Sequence, residues 1–365
     1  MGFKCGIVGL PNVGKSTLFN ALTQTAAAQA ANYPFCTIEP NVGDVAMPEP
    51  RLDVLAKIAG SKEIIPTRMN FVDIAGLVRG ASKGEGLGNQ FLANIRETDA
   101  IAYVLRAFED DDVTHVEDRV DPIADLETVE TELMLADMES LEKRRANLEK
   151  RAKTGDKEAK ETLVLVDLAL AELSEGRPAR KAEVPADQRK AWRMLQLLTS
   201  KPVLYIANVD EESAATGNAH SEKVVEYAKS QGSDAVVISA KIESELALLE
   251  DEERAEYLEA IGLEEAGLDR LIHAGYNLLE LQTYFTVGPK EARAWTFKHG
   301  WTAPRCAGVI HGDFEKGFIK AETIAYEDYV AHNGESGARE AGKLRQEGKD
   351  YIVKDGDVLH FKFNV

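Results

Sequence analysis

The sequence predicts an α/β nucleotide-binding fold that is interrupted by a helical hairpin and followed by a small β-sheet domain. A G-x-x-x-x-G-K-[ST] motif at residues 9–16 follows a short apolar strand and opens a helix. Leucine and valine recur at helical spacing between residues 123 and 200. Beyond residue 281, short β-rich runs alternate with turns.

Length and composition predict a soluble protein of two or three domains. At 365 residues the chain is too long for one compact core. Its shares of hydrophobic (44%) and charged (29%) residues are ordinary for globular proteins. No apolar run approaches the roughly 20 residues that span a bilayer, and we expect no signal peptide. Cys5, Cys36 and Cys306 are scattered, which favours a reducing, cytoplasmic location over a disulfide framework.

The charge distribution is strongly acidic but uneven. A formal net charge of -19 argues against general binding to nucleic acid, and we expect no DNA partner. Residues 143–160 are locally basic, directly after the acidic stretch of residues 109–142. This basic segment either contacts RNA or is simply a solvated helix face, and the sequence alone leaves both readings open.

The glycine-rich motif predicts a phosphate-binding loop. Its glycines allow backbone N–H groups to turn toward phosphate oxygens, and the following helix adds its N-terminal dipole. Lys15 would reach the β- and γ-phosphates as a catalytic cation, and the Ser16 hydroxyl would bind Mg²⁺. The nucleotide-binding residues expected in this loop are Asn12, Val13, Gly14, Lys15, Ser16 and Thr17.

Two later segments have the spacing of a γ-phosphate sensor. Thr37 lies in a proline-containing loop after the first helix, where a threonine hydroxyl can ligate Mg²⁺. Asp73 ends a predicted buried strand and opens a D-x-x-G sequence that Gly76 closes. We therefore expect Ser16, Thr37 and Asp73 to hold Mg²⁺, and the backbone N–H of Gly76 to contact the γ-phosphate.

The residue after Gly76 predicts slow hydrolysis. Ras-like enzymes place a glutamine there to orient the attacking water, whereas this chain has Leu77. Leucine cannot hydrogen-bond to water, so another group must position it. His115, in a polar loop, is the histidine we weigh for that role, against the ordinary alternative of a solvated side chain.

The sequence at residues 208–211 favours adenine over guanine. Guanine-binding proteins carry N-K-x-D at this point, and its carboxylate accepts from guanine N1–H and N2–H₂. Here Asn208 is kept, Val209 replaces the lysine and Glu211 replaces the aspartate. An asparagine amide can pair with adenine N6 and N7, so the change favours ATP without excluding GTP. Ser239 and Ala240 begin an S-A-K loop that is expected to border the base.

Two further elements complete the predicted architecture. The apolar residues between 123 and 200 predict an antiparallel, coiled-coil-like hairpin with a turn at residues 153–156. A short helix is expected around residues 304–311, among strands. The β-rich runs are residues 282–287, 294–297, 318–324 and 359–363. They predict a mixed sheet packed on a helix, similar to a β-grasp. Because this part of the sequence has no cluster of catalytic residue types, we expect it to be a binding module.

In the order of these pieces the chain resembles the YchF or Obg-like ATPase family over essentially its whole length. The segments that carry the resemblance are residues 9–17, 32–41, 73–90, 208–211, 302–304, 312–319 and 348–357. The resemblance implies a Ras-like P-loop domain over residues 1–122 and 201–280, an inserted helical domain over residues 123–200, and a C-terminal TGS domain over residues 281–365.

The resemblance also implies an activity and a partner. It implies slow, Mg²⁺-dependent hydrolysis of ATP, in preference to GTP, and binding to the ribosome or its large subunit through rRNA or protein. His115 corresponds to the histidine proposed in the family to replace the glutamine. The Asn12 position can help bind K⁺ in related proteins. An Obg-type GTPase and a binding scaffold stabilised by nucleotide remain alternatives, and nothing in the pattern indicates an oligomeric state.

Overall fold

A computed structural model describes residues 3–32, 41–74, 87–110 and 119–364. Within them the strands are β1 (Lys4–Val8), β2 (Val42–Ala46), β3 (Glu63–Ile65), β4 (Arg68–Asp73), β5 (Ala100–Arg106), β6 (Val203–Asn208), β7 (Ala235–Ile238), β8 (Leu281–Val287), β9 (Glu291–Lys298), β10 (Phe318–Ile324), β11 (Arg345–Glu347) and β12 (Val358–Phe363). The helices are α1 (Lys15–Asn32), α2 (Pro50–Ala59), α3 (Leu87–Arg96), α4 (Pro122–Lys153), α5 (Lys157–Ser174), α6 (Arg189–Met194), α7 (Ala219–Gln231), α8 (Ala240–Leu246), α9 (Asp251–Ala260), α10 (Gly267–Leu278), α11 (Ala303–Ile310), α12 (Gly312–Lys316), α13 (Tyr326–Ala331) and α14 (Glu335–Glu340).

The chain forms two compact units. The first unit contains residues 3–25, 41–43, 70–74, 87–110 and 119–270. The second unit contains residues 26–32, 44–69 and 271–364. The second unit therefore combines the C-terminal part of the chain with a segment from its first fifth.

The first sheet has the strand order β2-β4-β1-β5-β6-β7. Strand β1 runs parallel to β4 and β5, and β5, β6 and β7 continue the sheet in parallel. Every residue of β5 and β6 is buried, as expected for central strands that are covered on both faces. Because parallel strands end at the same edge, the segments that follow β1, β4, β5, β6 and β7 come together there.

The predicted helical hairpin is confirmed. Helices α4 and α5 are joined at Thr154–Asp156, close to the predicted turn. Asp156 caps α5 by accepting a hydrogen bond from the backbone N–H of Ala159 at 3.0 Å. Apolar side chains fill the space between the helices and the segment that follows them; they include Leu141, Leu165, Val166, Ala169, Leu173 and Trp192.

Buried charges attach the hairpin to the segment that returns to β6. The Asp137 carboxylate of α4 accepts from the backbone N–H groups of Leu198 (2.9 Å) and Thr199 (2.8 Å) and from the Thr199 hydroxyl (2.7 Å). Burial nevertheless raises the pKa of Asp137. Glu130, also on α4, forms a buried ion pair with Arg180. The three hydrogen bonds to Asp137 fix the position of α4 against the returning segment, whereas Arg180 Nη1 has no hydrogen-bond partner among the described residues.

The basic stretch of residues 143–160 lies on the hairpin, and four of its eight basic side chains pair with nearby carboxylates. Ion pairs join Lys143 to Glu139 (2.5 Å), Arg145 to Asp167 (2.7 Å), Arg151 to Asp156 (2.6 Å) and Lys157 to Glu161 (3.8 Å). Ion pairs of this kind are typical of a solvated helix face.

The second sheet has the strand order β11-β10-β12-β8-β9-β3. The β-rich runs predicted after residue 281 are confirmed as β8, β9, β10 and β12, and the predicted helix is α11. Sequence reasoning missed the contribution of the N-terminal half. Strand β3 pairs in parallel with β9, with Ile64 opposite Ala292.

Helix α2 supplies part of the core of the second unit. Leu52, Leu55 and Ala56 are buried in one cluster with Phe285 of β8. Arg51 Nη1 also pairs with Asp355 Oδ2 at 2.7 Å. The second unit thus includes the segment that lies in sequence between the Thr37 loop and Asp73.

No helix in the described parts of the chain is long and apolar enough to cross a membrane.

Cys5 and Cys306 are buried free thiols, and burial raises the pKa of each to about 12. Both thiols are therefore neutral at physiological pH, which makes them inert structural residues.

Candidate nucleotide-binding site

A cavity of about 740 Å³ lies at the carboxyl edge of the first sheet. Its walls come from the segments after β1, β5, β6 and β7. The lining residues are Leu10, Pro11, Asn12, Gly14, Lys15, Ser16, Thr17, Phe108, Glu109, Asp110, Asn208, Val209, Asp210, Glu211, Ala240 and Lys241. Four separate stretches of sequence therefore meet in one site, as is usual at the switch point of an open α/β sheet.

The loop between β1 and α1 adopts a conformation that depends on its glycine. Gly14 has a φ of 89°, and a Cβ at this position would collide with Asn208 Nδ2. Asn12 also lies in the left-handed region, with a φ of 62°. Helix α1 begins at Lys15, so its unpaired N–H groups and the positive end of its dipole lie next to the loop. These features create a site for an anion.

Lys15 and Asp73 are brought together although they are far apart in sequence. Lys15 Nζ lies 2.5 Å from Asp73 Oδ1, and the two side chains are 9% and 22% exposed. Asp73 is the last residue of β4. Strand β4 pairs in parallel with β1, the strand that leads into the phosphate loop. The strand register therefore places the predicted phosphate-binding cation beside the predicted Mg²⁺ ligand.

The hydroxyl groups of Ser16 and Thr17 are on exposed residues that line the cavity. Within the described ranges, no cluster of three or more histidine, cysteine or acidic side chains could hold a metal ion by itself. Mg²⁺ at nucleotide sites typically needs only one or two protein ligands, because phosphate oxygens and water supply the rest. Ser16 and Asp73 fit that requirement.

Asn208 connects two walls of the site through its buried amide. Its Nδ2 donates to the Val13 carbonyl at 2.9 Å, and its Oδ1 accepts from the Ala240 N–H at 2.9 Å. The side chain is predicted to bind nucleotide, and the structure gives it a positioning task as well. It holds the phosphate loop against the start of α8.

The other predicted base-binding residues differ in exposure. Val209 is buried against the cavity, whereas Glu211 is exposed and forms an ion pair with Lys241. Ala240 lines the cavity, and Ser239 is buried directly beside it in sequence. Among the described residues, the Ser239 hydroxyl has no hydrogen-bond partner.

Four residues singled out from the sequence lie outside the described ranges. They are Thr37, Gly76, Leu77 and His115. Their roles as Mg²⁺ ligand, γ-phosphate contact, glutamine replacement and water-positioning group stay predictions.

Sequence reasoning missed Phe108 and Lys241. Phe108 follows β5, and its ring lies 4.6 Å from the guanidinium carbon of the buried Arg106. Arg106 Nε also donates to the Phe108 carbonyl at 3.2 Å, which fixes this part of the wall. An aromatic residue two positions after a buried parallel strand was the available signal. Lys241 is the lysine of the S-A-K sequence, but its ion pair with Glu211 can be recognised only from the folded structure.

Two protein families match separate parts of the chain. Residues 4–135 match a family described as "50S ribosome-binding GTPase". Residues 281–364 match the YchF-GTPase C-terminal family, described as "Protein of unknown function (DUF933)". The second match covers strands β8 to β12, whereas the first includes β3, which pairs with β9 in the same sheet.

Full-length relatives are similar from end to end. The "Ribosome-binding ATPase YchF" of Haemophilus influenzae is 60% identical over 365 residues and that of Escherichia coli O157:H7 is 57% identical, each with 100% of both chains covered. The structure of the Schizosaccharomyces pombe YchF GTPase matches with a TM-score of 0.88 at 38% identity, covering 99% of this chain and 98% of that one. Because these relatives are similar over the full length, and because the phosphate loop and the Lys15–Asp73 pair are present, the chain belongs to the YchF family of P-loop nucleotide-binding proteins.

Proposed function

We propose that this protein is a ribosome-binding ATPase that acts as a slow nucleotide-dependent switch. The observation that carries the proposal is the cavity that the phosphate loop and the 208–211 segment line together, with Lys15 in its wall paired to Asp73. Relatives of the same length are named ribosome-binding ATPases, and the family matched by residues 4–135 is described as binding the 50S subunit. We therefore infer a large-subunit contact, through rRNA or protein, in the cytoplasm.

Lys15 and Asp73 would change partners when nucleotide binds. A triphosphate offers the Lys15 ammonium more negative charge than one carboxylate does, so Lys15 would move to the β- and γ-phosphates. Asp73 would then be free to hold Mg²⁺ through water, together with the Ser16 hydroxyl. Bound Mg²⁺ would neutralise charge that develops on the phosphate oxygens. We infer that Thr37 and the Gly76 N–H complete this sensor, and that Asn12 contributes to a K⁺ site.

Base recognition is assigned to Asn208, Val209, Glu211, Ser239 and Ala240. The glutamate in place of aspartate supports adenine, since guanine recognition needs a carboxylate placed at the N1–H and N2–H₂ edge. Leu77 cannot orient water, which supports slow turnover, and His115 is the proposed substitute. The family that matches residues 4–135 and the Schizosaccharomyces pombe protein are both described as GTPases, so an Obg-type GTPase is the competing function.

Calorimetric titration with Mg²⁺ separates these functions. We expect ATP to bind at least about tenfold more tightly than GTP, a difference of about 1.4 kcal/mol. Tighter binding of GTP would overturn the adenine assignment. Release of phosphate from ATP, measured with and without ribosomes and K⁺, tests the remaining alternative; no turnover in any of these conditions would indicate a nucleotide-stabilised scaffold.

A further inference from the structure

Asn208 is poorly suited to distinguish adenine from guanine. Its Oδ1 accepts from Ala240 and one Nδ2 hydrogen is given to Val13, so the buried amide is largely committed to the protein. The remaining Nδ2 hydrogen could reach purine N7, an acceptor that adenine and guanine share. Discrimination between the bases must therefore depend on other residues of the cavity wall.

Glu211 stands where guanine-binding proteins carry the carboxylate that contacts the base edge. In this protein the Glu211 carboxylate forms an ion pair with Lys241. Glu211 Oε1 and Lys241 Nζ form an ion pair, and both residues line the cavity. The Lys241 ammonium, aided by a backbone hydrogen bond within Glu211, keeps the pKa of Glu211 below its usual value. The carboxylate is therefore ionised and engaged at physiological pH.

Among the residues that the structure describes, neither Asp210 nor Ser239 holds this carboxylate. The Asp210 carboxylate accepts from the backbone N–H of Ser213 at 2.9 Å, which stabilises the turn after β6. The Ser239 hydroxyl has no partner among the residues that the structure describes, so it does not hold Glu211. Lys241 is thus the side chain that orients the Glu211 carboxylate.

We propose that Lys241 is a specificity-determining residue that disfavours guanine by occupying the carboxylate of Glu211. Guanine presents N1–H and N2–H₂, two donors that need both oxygens of one carboxylate. To bind guanine in this way, Glu211 would have to leave Lys241. Adenine has neither donor and does not require the ion pair to open. This inference deepens the proposed function and rests on it, because it assumes that the base lies beside Glu211.

The test compares ATP, GTP and inosine triphosphate (ITP) binding to the full-length protein in Mg²⁺ by calorimetry. In Lys241→Met the carboxylate is released, and we expect GTP affinity to rise about fivefold, since exposed ion pairs contribute little more than that. ATP affinity should stay within about twofold of wild type, because adenine does not use the carboxylate. ITP, which lacks the 2-amino group, should gain less than GTP.

Two variants control the experiment. In the double variant Glu211→Gln/Lys241→Met the gain in GTP affinity should disappear, because no carboxylate is left to accept from guanine. Lys223→Met removes an exposed lysine from α7, away from the cavity lining, and should leave all three affinities unchanged. High salt should narrow the ATP preference of the wild type but not that of Lys241→Met.

The outcomes separate this inference from the proposed function. A ratio of GTP to ATP affinity that is the same in Lys241→Met as in wild type would overturn the role of Lys241. An equal loss of affinity for all three nucleotides would also overturn it, because Lys241 would then act on the shared phosphates or ribose. If the wild type itself prefers GTP, the proposed ATPase function fails, while the change of ratio in Lys241→Met still measures whether Lys241 restrains Glu211.

Discussion

Replacing Lys15 with methionine is expected to lower the rate of nucleoside triphosphate hydrolysis by about 100- to 1,000-fold, the usual cost of removing a preorganised charge from a reacting centre. Lys15 is buried at the start of α1, with its ammonium 2.5 Å from Asp73. Methionine has similar length but no charge, so it keeps the packing and removes the contact with the phosphates. Phosphate release at saturating nucleotide measures the effect.

The matched control for Lys15→Met is Lys57→Met. Lys57 is an exposed lysine on α2, outside the cavity, and its replacement should leave turnover unchanged. Thermal unfolding of each variant shows whether the fold survives. Turnover by a folded Lys15→Met protein within tenfold of the wild type would contradict the phosphate-binding role of this lysine.

Replacing Leu55 with alanine is expected to destabilise the C-terminal sheet, although Leu55 lies in the first sixth of the chain. Its side chain is 0% exposed and is buried in one cluster with Phe285, Ala292 and Ala294. Truncating such a residue typically costs about 2–5 kcal/mol of the free energy of unfolding. Hydrogen exchange should accelerate in β8 and β9 as well as in α2, and this can be measured by mass spectrometry.

The adjacent residue, Val54, provides a control in which an aliphatic side chain of α2 is likewise truncated to alanine. Val54 is 38% exposed, so Val54→Ala should cost about 0.5 kcal/mol or less. Faster exchange confined to α2 in Leu55→Ala, with β8 and β9 unaffected, would show that α2 does not support this sheet. The prediction has a practical consequence: removal of residues 281–364 would expose Leu52 and Leu55 and leave β3 without its partner strand.

The phosphate loop around Lys15 could be predicted from the sequence, whereas the core that contains Leu55 could not. The phosphate loop is encoded locally, because the glycines, Lys15 and the following helix lie within one short motif. The approach of Lys15 to Asp73 could also be inferred, since Asp73 ends one strand of a parallel sheet and Lys15 belongs to the loop that follows another. The hairpin of α4 and α5 was visible from apolar spacing and a turn.

The embedding of α2 and β3 in the second sheet could not be inferred in this way. Strand β3 has only three residues, none of them fully buried, and its pairing with β9 joins segments more than 200 residues apart in the sequence. The same limit applies to Asn208. Its residue type indicated a base contact, whereas its bonds to Val13 and Ala240 depend on how two loops approach one another.

The measurement that tests the account most directly is co-sedimentation with 70S ribosomes and isolated 50S subunits in three states: without nucleotide, with ADP, and with a non-hydrolysable ATP analogue. A nucleotide-dependent switch predicts that the bound fraction differs between the ADP and ATP-analogue states, and that Lys15→Met no longer shows this difference. Equal binding in all three states would contradict a switch. Absence of co-sedimentation in every state would contradict the ribosome as its partner.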